Sequence, residues 1–197
     1  MSHIAIVHTQ NMTVSEKEKM LAGELYLSTD PQLQSALAEA QTHLRRLNTI
    51  GNEDTHLRRA QLELLLGSIG DGTQLKSPFS CDYGQYIRIG RNGFVNYGCV
   101  FLDCNFIEIG DDAQIGPGVH IYTAFHPLDS NTRRSGLEGA KRVTIGHNVW
   151  LGGSCVICPG VSIGDNTVIG AGSVVVRDIP ANKLAVGNPC RVVRALT

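Results

Sequence analysis

Several residues in this 197-residue chain are of types that do chemistry. His126 stands in Tyr122-Thr-Ala-Phe-His-Pro-Leu-Asp129, a stretch that interrupts an otherwise periodic sequence. A free imidazole titrates near neutrality, so a histidine in such a loop can take a proton at working pH. Arg177, Lys183, Arg191 and Arg194 share a C-terminal tail with a single Asp, Asp178. That local excess suits an anionic ligand, and arginine's planar fork suits phosphate, although a solvated basic terminus would have the same composition. Cys155 and Cys158 form a Cys-x-x-Cys, a spacing used in redox and zinc chemistry. A catalytic zinc site would need three neutral imidazoles, and His120, His126 and His147 are present, although His120 and His147 are expected to be structural or solvated.

The elements that must position these residues follow from a period of six. From Ile145 every sixth residue reads Ile145, Leu151, Ile157, Ile163, Ile169 and Val175, all aliphatic. Two places earlier stand Val143, Val149, Cys155, Val161, Thr167 and Ser173, all small or β-branched. Gly146, Gly152, Gly164 and Gly170 follow aliphatic residues of the first column. No α-helix repeats every six, and an ordinary strand has no scheduled glycines. The period identifies a hexapeptide parallel β-helix, one short strand and one turn per hexad. Three hexads close a triangular coil, and successive coils stack roughly 4.8 Å apart through parallel ladder bonds. The glycines are expected at tight turns beside the corners, some with positive φ. Cys155 falls in the inward column and Cys158 at a turn, so the two thiols should point apart and serve packing.

Earlier hexads run Ile69, Leu75, Cys81, then Ile89, Val95, Phe101, and after a two-residue slip Ile109, Ile115, Ile121. The strides make fifteen hexads, about five coils, enough for a stable stack. Residues 13–67 carry no hexads and are expected to form a helical cap. Ser15-x-x-Glu18 is a capping box for a short helix ending near Gly23. Asp30-Pro31 opens a second helix with Leu33, Ala36, Leu37, Ala40, Leu44 and Leu47 at helical spacing. A third helix starts near Asp54 and stops at Gly67. The expected organisation is a 1–12 extension, the 13–67 cap, a 68–176 β-helix with an inserted loop at 122–142, and a 177–197 tail. Long excursions from a solenoid are usually functional.

Seventeen basic against eighteen acidic residues give a net charge of −1, which supports neither nucleic-acid nor membrane binding. No apolar run approaches membrane-spanning length. Residues 1–11 lack a basic n-region and a cleavage pattern, so a cytoplasmic protein is expected.

The stretches Met20-Leu-Ala-Gly-Glu-Leu-Tyr26, Cys81-Asp-Tyr-Gly84, Phe101-Leu-Asp103, His120 to Asp129, Val143-Thr-Ile-Gly-His-Asn-Val-Trp-Leu-Gly152 and Val186-Gly-Asn-Pro189 together resemble the maltose and galactoside O-acetyltransferase family, which includes nodulation-factor acetyltransferases. The resemblance covers about residues 13–197. It implies a left-handed β-helix and a homotrimer, with acetyl-coenzyme A bound in grooves between subunits and a sugar as acceptor. It further implies His126 as general base and Asn96 as the fixed donor that stabilises the oxyanion. Glu138 is expected to orient His126 or contact the acceptor, and Asp82 and Tyr83 match acceptor-side positions. Cofactor positions fall at Trp150, Gly153, Ala171, Val176, Arg177, Arg191 and Arg194, the arginines meeting phosphates. Two residues depart from the pattern. Cys104 replaces an acidic residue of the galactoside branch, and Val176 replaces a common Thr. No metal is expected. The competing functions are a zinc hydrase like the γ-type carbonic anhydrases and a non-catalytic β-helix scaffold.

Overall fold

A computed structural model describes residues 14–197. The expected 1–12 extension lies outside the described residues. Three parallel sheets wind the chain into a triangular prism. The first contains Ser68–Ile69, Ile87–Ile89, Ile107–Ile109, Val143–Ile145 and Ser162–Ile163. The second contains Gln74–Leu75, Phe94–Val95, Gln114–Ile115, Trp150–Leu151 and Val168–Ile169, and is extended by a hairpin of Lys183–Val186 and Arg191–Ala195. The third contains Phe79–Cys81, Cys99–Leu102, His120–Tyr122, Val156–Ile157 and Val174–Val175. These make five complete coils, and a bridge from Ile163 to Ile179 begins a sixth.

The hexad residues meet in register from coil to coil. Ile89, Ile109, Ile145 and Ile163 stack in the first sheet. Val95, Ile115, Leu151 and Ile169 stack in the second, and Phe101, Ile121, Ile157 and Val175 in the third. All are buried, as are the residues two places earlier in each late hexad. Burying an aliphatic side chain contributes about 1.5–3 kcal/mol, so the columns dominate stability. Cys155 lies in the core and Cys158 at a turn, both as free thiols.

The scheduled glycines have a different cause from the one the sequence predicts. Gly146, Gly152, Gly164 and Gly170 do not lie in the left-handed region. A Cβ on Gly152 would sit 2.5 Å from the backbone nitrogen of Ala171 in the next coil. Glycine is required there because adjacent coils pass too closely for a side chain. The left-handed turns fall elsewhere. Asn92, Asp112, Asn148, Asn166 and Asn182 take φ of 53–60° between the first and second sheets.

Helix α1, Glu16–Ala22, has the reciprocal Ser15–Glu18 box and a left-handed Gly23 cap. Helix α2, Pro31–Thr49, starts at Asp30, whose carboxylate accepts from the Gln32 and Leu33 N–H groups. Helix α3, Thr55–Leu65, closes at Leu66 in extended conformation, one residue before Gly67. Leu44, Leu47, Leu62, Leu65 and Leu66 join one cluster with Ile69, Leu75 and Phe79, so the cap seals the open end of the prism. Buried Arg58 secures this joint by donating to the Leu47, Ile50 and Leu75 carbonyls and to the Ser77 hydroxyl.

Candidate active site

The edge between the third and first sheets carries the departures from the hexad rule. Residues 82–86 and 102–106 each add two residues to a turn, and residues 122–142 form the long insertion at the next level. The insertion is structured rather than an open loop. Its strands Ala124–Phe125 and Leu137–Ala140 pair antiparallel, and Tyr26–Leu27 of the cap adds a third strand. Between them lies helix α4, Ser130–Arg134, capped by the Asp129 carboxylate. Arg133 donates to the Pro127 and Leu128 carbonyls, which fixes the turn after His126. His126 itself follows Ala124–Phe125 and is exposed.

The three excursions are tied to one another. Asp103 is wholly buried and accepts from the backbone N–H groups of Asp82 (3.0 Å), Tyr83 (2.9 Å) and Tyr86 (3.3 Å). Burial pushes its carboxyl up to about 7 despite backbone donors that pull it down. Asn105 donates to the Met20, Leu21 and Ala140 carbonyls, joining this edge to α1 and to the insertion. Neither residue has a hexad position that could have marked it from sequence.

Asp82 is half-buried and Tyr83 buried. Burial raises the Asp82 carboxyl, the Cys104 thiol opposes that rise, and the Glu138 charge adds to it. The Cys104 thiol donates to Asp82 Oδ2 at 3.5 Å, and burial holds it well above the usual thiol range. Glu138 Oε1 accepts from the Tyr26 hydroxyl at 2.7 Å. Among the described residues no hydrogen bond joins Glu138 to His126. The Tyr86 hydroxyl is buried without a hydrogen-bond partner, and burial pushes it up to about 12.

A second set lies along the edge between the second and third sheets. Asn96, Gly153 and Ala171 line a groove of about 500 Å³ with Gly116, Pro117 and Trp150. Trp150 is 56% exposed, and the Asn96 side-chain oxygen accepts from the Tyr97 N–H. Gly170 and Leu184 border the groove from the last coil and the hairpin. Arg191 and Arg194 stand exposed on the outer hairpin strand, while Val176 and Arg177 are exposed at the end of the His126 edge. None of the three arginines has an ion-pair partner among the described residues. One chain therefore places Asn96 and His126 on different edges of the prism, with the third sheet between them.

The other histidines have separate surroundings. His120 Nδ1 meets the Tyr122 hydroxyl, and His147 Nδ1 accepts from the Asp111 N–H at 3.0 Å. No group of three or more His, Cys, Asp or Glu able to hold a metal occurs among the described residues.

A prism of stacked hexads with a helical cap is the architecture of the hexapeptide-repeat proteins. Residues 142–177 match the model described as bacterial transferase hexapeptide (six repeats), and residues 19–70 match the maltose acetyltransferase hexapeptide capping motif. Nodulation protein L of Rhizobium leguminosarum bv. viciae is 50% identical, over 92% of this chain and 95% of its own length. A maltose O-acetyltransferase from Clostridium difficile 630 superimposes with a TM-score of 0.92 at 46% identity, covering 93% of this chain and 98% of the other. A galactoside acetyltransferase in complex with coenzyme A gives 0.90 at 35% identity, covering 95% and 92%. The chain belongs to the maltose-acetyltransferase family of hexapeptide-repeat acetyltransferases.

Proposed function

We propose that the protein transfers an acetyl group from acetyl-coenzyme A to a hydroxyl of a sugar such as maltose, glucose or a galactoside, with His126 as general base. The observation that carries this reading is the edge on which His126 stands. Its insertion is clamped by Arg133 and held to the cap, and half-buried Asp82 and Glu138 offer polar atoms beside it. The 35%-identical galactoside enzyme holds coenzyme A, and the exposed arginines and glycine-lined groove of this chain suit the same ligand.

His126 takes the acceptor hydroxyl proton while that oxygen attacks the thioester carbonyl carbon. The carbonyl electron pair moves onto oxygen, where Asn96 donates to the developing charge and the Gly153 backbone lies alongside. Collapse re-forms the carbonyl, breaks the carbon–sulfur bond and returns the proton from the imidazolium to the leaving thiolate. Asp82, Tyr83 and Glu138 bind or orient the acceptor side. Trp150, Ala171 and Val176 contact the cosubstrate's apolar parts, and Arg177, Arg191 and Arg194 its phosphates.

His126 and Asn96 occupy different edges, so an active site needs a neighbouring copy, and a homotrimer is the assembly proposed. Leu128, 96% exposed two residues beyond His126, and exposed Tyr97 beside Asn96 are apolar surfaces that such a neighbour would cover.

Thiol release from acetyl-coenzyme A against a sugar panel, wild type beside His126→Ala, tests the reading. A sugar-dependent signal that the variant loses by roughly 10²–10⁴-fold supports it. Equal rates in the two proteins would remove His126 as the base.

A further inference from the structure

We infer that Tyr26, supplied by the N-terminal cap, is a positioning residue for the acetyl transfer, acting through Glu138 on His126. The inference rests on the reading of His126 as the base. Its starting point is the register of the small sheet formed by the cap and the insertion. Tyr26 pairs with Glu138 across one strand boundary. Across the other, Ala124 pairs with Ala140 and Phe125 with Gly139. Continuing that antiparallel ladder by one step sets His126 opposite Glu138. Directly opposite residues project from the same face with Cβ atoms roughly 5 Å apart. The paired strand itself stops at Phe125, so His126 completes the row with Glu138 and Tyr26, the carboxylate in the middle, as the extension of that register by one residue.

The outer end of the row is packed into the core of the cap. Tyr26 is fully buried with Met20, Leu33, Tyr83, Tyr86, Cys104 and Ala140. Its hydroxyl donates to Glu138 Oε1 at 2.7 Å, which leaves Oε2 without a hydrogen bond from the described residues. Gly139 has no side chain, and the end of the Phe125 ring lies 2.5 Å from where a Cβ would stand, so the ring packs directly over the facing strand. A hydroxyl fixed in a packed cluster holds one carboxylate oxygen, and in the inferred arrangement the other meets the imidazole. Charge-assisted hydrogen bonds of this kind carry geometric specificity as well as energy. The cap thus has a part in the chemistry besides closing the prism. The chain of contacts extends past Tyr26, because Cys104 lies against its hydroxyl and donates in turn to Asp82.

The test is a double-mutant cycle on the full-length protein with Tyr26→Phe, Glu138→Ala and the combination, and His126→Ala beside them. Thiol release from acetyl-coenzyme A is followed with the best acceptor of a sugar panel, water serving as acceptor if no sugar turns over. Tyr26→Phe removes one oxygen and keeps the ring, and its melting temperature reports any loss of fold. The expected result is a kcat lower by roughly tenfold, about what one hydrogen bond to a charged group is worth. The KM for acetyl-coenzyme A is expected to stay at the wild-type value, and adding Tyr26→Phe to Glu138→Ala should change nothing further. Wild-type kcat in Tyr26→Phe, or equal losses in the two backgrounds, would overturn the inference. If His126→Ala matches wild type, the base itself is misassigned, a failure separate from that of Tyr26.

Discussion

Two edges of the prism, built from the same repeat, have been put to opposite uses. Between the first and second sheets every level is alike. Gly72, Asn92, Asp112, Asn148, Asn166 and Asn182 each take the left-handed turn, and side chains bond between levels from Asn92 to Asp112 at 3.2 Å, Asn148 to Asn166 at 2.9 Å and Asn166 to Asn182 at 3.2 Å. Between the third and first sheets the first two levels each add two residues and the third carries the long insertion, and long-range bonds from Asp103, Asn105 and Tyr26 replace the ladder. A solenoid needs its stacked strands and inward columns but does not need all its corners to match. Regularity at one edge keeps the coils in register while the other accepts insertions and buried polar groups.

The sharpest way to probe the irregular edge is through Asp103. Its carboxyl is raised by burial to about 7, whereas an unfolded Asp titrates near 3.9. The folded chain then keeps a proton that the unfolded chain releases. Stability from this group is present in full below about pH 4, falls as pH rises, and is flat above about pH 7. The fall amounts to no more than about 4 kcal/mol. Urea unfolding at pH 4.5 and 7.5 should show a shallower loss in Asp103→Asn than in wild type. Equal slopes would mean that the three backbone donors, and not burial, set the charge of this carboxyl.

A change at the regular edge should act through sterics alone, independent of pH. A Cβ on Gly110 would lie 2.8 Å from the backbone of Gly146 and of His147 in the next coil. Gly110→Ala is expected to lower stability by about 3 kcal/mol, within the range of overpacked cores. Thermal unfolding measures it, and a change below about 1 kcal/mol would show that the coils can part locally.

What could be read from the sequence follows the same division. Ile145 to Val175 fixed the coil, and Ser15, Glu18, Gly23 and Asp30 marked their helix ends, because periods and caps are local signals. The extra residues after Phe101 were visible as a slip. That they stack on residues 82–86 and beneath the insertion was not, since stacking is known only once the coils are wound. Glu138 was legible as a candidate through the family resemblance, but Tyr26, 112 residues away, had no pattern linking the two. Asp103 was masked in the same way, by partners about twenty positions upstream. Asn96 shares a groove with Gly153 and Ala171, whereas the family resemblance grouped only the last two, as cofactor positions.

The smallest expected effect separates the two things an Asn does at the regular edge. Asn166 has φ of 55°, donates to Asn182 Oδ1 at 3.2 Å and accepts from Asn148 at 2.9 Å. Ala at this position loses both ladder bonds and takes the left-handed penalty of about 1–2 kcal/mol for a residue with Cβ. Gly loses the same bonds but is at ease with the backbone. Asn166→Ala should therefore be less stable than wild type by about 1–2 kcal/mol, with Asn166→Gly in between, and the transferase rate should be unchanged in both. If Gly and Ala fall together, the side-chain ladder carries the stability of this edge. If Gly matches wild type, the ladder adds nothing, and the edge is regular only because left-handed turns tolerate so few residues.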